Sequence, residues 1–310
     1  MNTKLHKSVL LKETIQSLNI KKNGTYIDGT FGSGGHSLNI LNKLGPKGKL
    51  YAIDRDLEAV KIAKKISDPR FHIIHGNFSN IDLFFKKNKI KKKIDGIILD
   101  LGMSTMQLMS KNRGFSFKIN GPLDMRMNQK QGISAAQWIN SNNKKTIANI
   151  LKTFGEERFA KKIAKKIELY KNIKPITTTE QLSKIIMKVK TKKNQKKHPA
   201  TKSFQAIRIF INQELQELQI FLKKILNILN KKGRISIISF HSLEDKIVKQ
   251  FMLKNSSIND IPMGIPISEK QIKNMYQKKI KIINRIFPNI IEILNNPKSR
   301  SAILRTAELQ

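Results

Sequence analysis

The sequence predicts an α/β protein: a doubly wound parallel sheet interrupted by an inserted, mainly helical domain. Two observations carry this. Short apolar runs alternate with segments of helical spacing between residues 25 and 102, and each run ends in an acid, Asn or Gly. From about 107 to 210 helical spacing continues with no strand signal, and strand signals then return.

The elements follow in order. TYIDGT (25–30) is the first strand, and a helical pattern runs from Ser37 to Leu44. KLYAIDRD (49–56) is the second strand, followed by the helix-like DLEAVKIAKKI. RFHIIHGNF (70–78) and IDGIILDLG (94–102) are the third and fourth. Ligands of such sheets sit at the carboxyl ends of the strands. Asp28, Asp54, Asn77 and Asp100 are therefore expected to converge on one crevice. In the insertion, GISAAQWINSNNKKTIANILKTFGEERFAKKIAKKIELY and TTTEQLSKIIMKVK read as helices, the second started by Thr177 to Thr179 ahead of Glu180 and Gln181. KTKKNQKKHP (190–199) reads as a basic loop. A long helix over 203–230 leads to KGRISIISFHS, a fifth, buried strand. KIINRIF and SAILRTAEL close the chain as a hairpin at the sheet edge. The expected domains are 1–106 with 211–310, and 107–210.

The 310 residues contain no cysteine, which excludes disulfides, cysteine-based zinc and a thiol nucleophile; no metal site is expected. The N-terminal MNTKLHKSVLLKETIQ lacks a long apolar core and a small-residue cleavage site, and no apolar run approaches membrane length. A soluble, cytoplasmic protein with no membrane partner is expected. The formal net charge of +38 has two readings. It suits a polyanionic partner such as nucleic acid. It also follows from a Lys-, Ile- and Asn-rich composition of the kind an AT-rich genome produces.

The loop GTFGSGG has neither the GxxxxGK[ST] spacing of a P-loop nor a clean GxGxxG. Its glycines alone are consistent with a plain turn. A tight glycine turn without a phosphate-binding lysine also suits a ligand whose adenosine and amino-acid ends both touch backbone, as in S-adenosylmethionine. Asp54, ending the second strand, is placed to accept from the ribose hydroxyls.

DGTFGSGGHS, ILDLGMST, NRGFSFKINGPLDMRMN, HPATKSFQAIRIFINQEL, ISFHSLEDKIVKQFM and NPKSRSAILRTAEL follow one another along the chain. Together they resemble the ribosomal RNA small subunit methyltransferase H family, over essentially the whole length. The resemblance implies a Rossmann-like class I methyltransferase sheet with an inserted helical domain for RNA recognition. It implies S-adenosylmethionine as cofactor and the exocyclic N4 of a 16S rRNA cytosine, in the small ribosomal subunit, as target. By motif it implies cofactor contacts at Gly34, Gly35, His36, Asp54, Phe78, Asp100 and Gln107. Ser8 stands where the family's N-terminal motif has proline, and residues 254 to 290 match less well.

Methyl transfer to an exocyclic amine needs an acceptor for the N–H, because the nitrogen lone pair is delocalised into the ring. Asp100 in DLGM is the catalytic candidate, its role divided between amine acceptor and cofactor contact. Other amino-methyltransferases carry Pro-Pro-aromatic after this acid, which is missing here. His36 could be a base, though a hydrogen bond to loop or cofactor is preferred. His241 could touch RNA, but Ser242, Glu244 and Asp245 read first as a helix start. Phe115, Phe117 and Phe240 are candidates to receive an unstacked base, against core packing. In a chain so rich in Lys, Arg113, Arg126 and Arg208 suggest bidentate contacts to phosphate or carboxylate. Lys192, Lys193, Lys196 and Lys197 read as a solvated loop or phosphate contacts. The competing readings are a nicotinamide oxidoreductase, a methyltransferase acting on another RNA base or on protein, and a non-catalytic basic RNA-binding assembly protein.

Overall fold

The computed structural model describes residues 8–88, 90, 93–190, 198–256 and 278–310. The chain divides into two compact units, Met1–Gly102 with Leu215–Gln310, and Met103–Glu214. The joins fall at 102/103 and 214/215, where the sequence reading places them at 106/107 and 210/211.

In the first unit seven described strands form one sheet: β1 (Thr25–Asp28), β2 (Lys49–Asp54), β3 (Phe71–His75), β4 (Ile94–Asp100), β5 (Leu229–Ser239), β6 (Ile280–Ile286) and β7 (Ile303–Leu309). Their order is β3-β2-β1-β4-β5-β7-β6. β1 to β5 run parallel, and β7 lies antiparallel between β5 and β6. A central parallel strand is apolar on both faces because helices cover both. β4 shows this: Ile97 and Leu99 enter one core with Ile27, Ile53, Ile235 and Phe221. Ile98 enters the opposite core with Tyr26, Leu50 and Ile40.

The helices α1 (Leu11–Leu18), α2 (Gly35–Leu41), α3 (Leu57–Ala63) and α4 (Ile81–Lys87) accompany the first strands. α2 begins two residues earlier than the spacing predicts. The Asp56 side chain caps α3 by accepting from Glu58 N. β6 and β7 pair as expected, yet the last strand is the inner one. β7 buries Leu304, Thr306 and Ala307, whereas β6 exposes Lys281 and Arg285, charges that suit an edge strand.

The second unit contains α5 (Thr105–Met109), α6 (Ala135–Ser141), α7 (Lys144–Gly155), α8 (Ala160–Lys171), α9 (Thr179–Val189) and α10 (Thr201–Ile211). Trp138, Leu151, Ile163, Ile185 and Phe204 share its core. Thr178 caps α9 in a reciprocal capping box with Gln181. The single long helix expected over 203–230 is two, α10 and α11 (Glu214–Ile228). Gln213 between them takes φ 52. Asn212 ends α10 with its side chain committed elsewhere: Nδ2 donates to Met125 O at 2.7 Å and Oδ1 accepts from Met127 N at 2.8 Å. α12 (Ser242–Ser256) and α13 (Ile290–Asn295) complete the first unit. Lys192, Lys193, Lys196 and Lys197 lie outside the described residues.

Candidate active site

The glycine loop is held from below by Asp28. This carboxylate is 1% exposed. Its Oδ1 accepts from Thr30 N at 3.1 Å and its Oδ2 from Ser37 Oγ at 2.7 Å, so one acid ties the start of the loop to α2. Gly29 N donates to Ile98 O at 2.9 Å, which joins the loop to β4. Gly34 takes φ +84, and a Cβ there would stand 2.7 Å from Phe31 Cζ. At Gly35 a Cβ would collide with Ser8 Oγ, so the residue that departs from the family motif packs directly on the loop.

Asp54 also braces the loop. Its Oδ2 accepts from Gly32 N at 2.7 Å and its Oδ1 from Asp56 N at 2.8 Å. Each oxygen keeps a lone pair for a further donor. Burial pushes Asp28 and Asp54 up to about 6, opposed by the hydrogen bonds they accept.

Asp100 is bound differently. Its backbone N–H donates to Thr30 Oγ1 at 2.6 Å. Its Oδ2 lies 3.7 Å from His36 Nδ1, with His36 itself buried. Its Oδ1 is buried and has no hydrogen-bond partner among the described residues. Burial raises its carboxyl well above the usual range, and the charges of Asp28 and Glu244 add to the rise. Glu244 is turned in at the start of α12. Its Oε2 accepts from Phe240 N at 2.8 Å, and its Oε1 lies 3.2 Å from His241 Nε2. His241 Nδ1 in turn faces Glu244 N at 3.4 Å, which agrees with the helix-start reading of His241.

Phe78 opens a 3-10 turn after β3 and meets Phe221 edge-on at 5.6 Å between centroids. A Cβ on Gly29 would stand 3.3 Å from the Phe78 Cβ, so Phe78 borders the loop. Asn77 Oδ1 and Ser33 Oγ, on the same edge, are buried without hydrogen-bond partners among the described residues. The structure thus gathers Gly34, Gly35, His36, Asp54, Phe78 and Asp100 at the carboxyl edge of the sheet. Gln107 belongs to the helical unit, where it closes a capping box at the start of α5: its Oε1 accepts from Ser104 N at 3.0 Å.

The remaining candidates divide. Arg113 is buried, and its Nη2 donates to Arg126 O at 3.1 Å and Met127 O at 2.8 Å, so it ties down backbone carbonyls. Arg126 and Arg208 do make bidentate contacts, to Asp124 and Glu214. Phe115 is 4% exposed and part of the helical core. Phe117 is stacked on His198 at 4.4 Å. Phe240 stays half-buried beside Gly102, 3.7 Å from where a Cβ would be.

The sequence reading did not assign Thr30 and Glu244 to the site, and it placed Asp28 and Asn77 there without a role. A Thr one residue past a strand-end glycine is the available signal for Thr30. Glu244 reads as an ordinary helix-start acid until its buried charge is found to act on Asp100.

This edge fits S-adenosylmethionine on chemical grounds. It offers buried acceptors, Asp100 Oδ1 and Asn77 Oδ1, and a cluster of carboxylates raised by burial and mutual repulsion. A ligand with a sulfonium, an ammonium and hydroxyl donors satisfies both. Asp54, Asp100 and the amides after Gly32 are the groups that would hold it.

A ribosomal RNA small subunit methyltransferase H from Buchnera aphidicola subsp. Acyrthosiphon pisum (strain APS) is 57% identical over 305 residues, 98% of each chain. Its counterpart from Buchnera aphidicola subsp. Schizaphis graminum (strain Sg) is 55% identical over 305 residues, again 98% of each. A solved rRNA methylase from Streptococcus thermophilus aligns over 98% of both chains, with 11% identity and a TM-score of 0.43. The model of the MraW methylase family matches residues 3–310, and the chain belongs to that family.

Proposed function

We propose that the protein transfers a methyl group from S-adenosylmethionine to the exocyclic N4 of a cytosine in the decoding region of 16S rRNA, within the assembled small subunit in the cytoplasm. The observation that carries this is the buried, open Oδ1 of Asp100 among acids that repel it. When bound, S-adenosylmethionine supplies a methyl carbon already activated by its sulfonium.

The protein's task is alignment and proton management. Aligning the reacting atoms can supply roughly 7–11 kcal/mol of a barrier. Asp100 Oδ1 accepts one N–H of the amine, which draws the lone pair out of the ring. As the N–C bond forms, the methyl carbon's bond to sulfur would break, leaving a neutral thioether; the nitrogen becomes cationic and releases that proton to Asp100, whose raised affinity for protons suits the role. Water then carries the proton away. Asp28 fixes Thr30, and Thr30 Oγ1 fixes the Asp100 backbone, so the acceptor stands on a braced strand end. His36, 3.7 Å away, orients the second oxygen. Gly34, Gly35, Asp54 and Phe78 form the remaining cofactor contacts. The part of Gln107 rests on the family resemblance.

Phe240, beside Gly102, is the aromatic of this unit placed to face an unstacked base. RNA recognition falls partly to the helical unit. There α8 buries Ile163, Ala164 and Ile167 and exposes Lys161, Lys162, Lys165 and Lys166. Among the described residues no helix is long and apolar enough to cross a membrane.

The test is transfer of a labelled methyl group to 30S particles lacking the modification, followed by nucleoside mass spectrometry. New N4-methylcytidine is expected. Label in a different nucleoside would overturn the target, and failure to bind S-adenosylmethionine would overturn the cofactor site.

A further inference from the structure

The connection between β6 and β7 is unusual in this molecule. Phe287, Ile290, Ile291 and Leu294 are 53%, 74%, 66% and 76% exposed. They lie on a short stretch that ends β6 and forms α13. The stretch is basic as well. The guanidinium of Arg285 stands 4.6 Å from the centroid of the Phe287 ring. Lys298 and Arg300, both exposed, follow on a 3-10 turn.

Sheet topology says where this surface is. Ile303 of β7 pairs with Ser239 at the carboxyl end of β5, and Ile286 of β6 pairs with Leu304. The β6–β7 connection therefore leaves the sheet at the edge where Asp28, Asp54 and Asp100 end their strands. The N-terminal segment joins the two places. Leu10 N donates to Glu292 Oε1 on α13 at 2.7 Å, and Ser8, two residues earlier, packs against Gly35 of the glycine loop.

We infer that this connection is an RNA-docking rim of the catalytic unit, where an unpaired nucleotide of the substrate stacks on Phe287 and its phosphates meet Arg285, Lys298 and Arg300. The inference rests on the RNA-methyltransferase reading and adds a second contact surface to it. Single-stranded nucleic acid is bound by exposed aromatic rings flanked by cations, and base-on-ring stacking is sequence-tolerant. A second copy of the chain fits poorly, because it would bring the same +38 charge to a basic surface. A guanidinium laid on an exposed ring favours a base over an acidic protein, which would need the cations but not the ring.

The test uses the full chain and a labelled single-stranded oligoribonucleotide containing the target cytosine. Phe287→Ala should raise the Kd about tenfold and leave its salt dependence unchanged, since stacking releases no counterions. Arg300→Gln should reduce the slope of log K against log salt by about one. Both variants should keep wild-type affinity for S-adenosylmethionine and wild-type melting, and the KM for 30S particles should rise while kcat holds. Unchanged Kd and KM in both variants would overturn the rim. Normal RNA affinity with activity lost only on 30S particles would also overturn it, in favour of a protein partner. Wild-type protein that binds the RNA but transfers no methyl group to 30S particles lacking the modification would sink the proposed function and leave the rim standing.

Discussion

Buried carboxylates and cations in the helical unit meet charges of opposite sign or backbone carbonyls, while at the carboxyl edge of the sheet carboxylates lie near charges of their own sign. In the helical unit Lys190 donates to Glu157 at 2.9 Å and to Pro199 O at 2.8 Å, both side chains nearly inaccessible. Arg126 grips Asp124 with two nitrogens. At the sheet edge burial raises Asp100 and the charges of Asp28 and Glu244 add to it, while burial raises Asp28 with a smaller push from Asp54. A folded chain with no further task would neutralise such a cluster. Paired charge marks scaffold, and unrelieved like charge marks the place where a cationic ligand completes the fold.

The largest expected effect tests the scaffold side. Lys190→Met leaves Glu157 buried without its partner and should cost about 3–5 kcal/mol of stability, read by urea denaturation. The double variant Glu157→Leu/Lys190→Met should recover most of it. Additive losses in the double variant would show that packing, not charge pairing, holds this site.

Asp100→Asn tests the other side. It keeps the shape, removes the repelled charge and weakens the acceptor. Turnover should fall about a thousandfold, while melting at neutral pH should stay level or rise. A stability loss without a turnover loss would place Asp100 with the scaffold acids and break the contrast between the regions.

Much of this arrangement was legible in the sequence because it is local. Apolar runs such as IIL in β4 announce strands, and an acid at the end of each run lands on the ligand edge by geometry alone. What was not legible depends on long separations. Thr30 meets Asp100 across 70 positions, and Asn212 meets Met125 across 87. No local pattern reports that the second bond commits the side chain at the end of α10, where the expected long helix breaks. Arg113 was unreadable for the same reason: a guanidinium that binds phosphate and one that binds buried carbonyls have the same sequence signature, and the bonds to 126 and 127 come only with the fold.

The smallest expected effect is the most specific to the acid cluster. Asp28 is raised from 3.8 to about 6 by burial. Between those values the native state holds a proton that the unfolded chain has released, so raising the pH favours unfolding. Wild-type stability should therefore decline on this account from pH 4 to 6, by at most about 3 kcal/mol for two units, and be level above. Asp28→Asn can still accept from Thr30 N and has no proton to lose. Its melting temperature should gain on wild type across that window, and the gain should persist at pH 7. Parallel profiles would mean that Asp28 is ionised without cost and that the edge is not frustrated. If the gain is found, adding S-adenosylmethionine to wild type should recover part of the difference. Burial disfavours the ionised form of Asp28 in the free protein, and a bound cation offsets part of that cost.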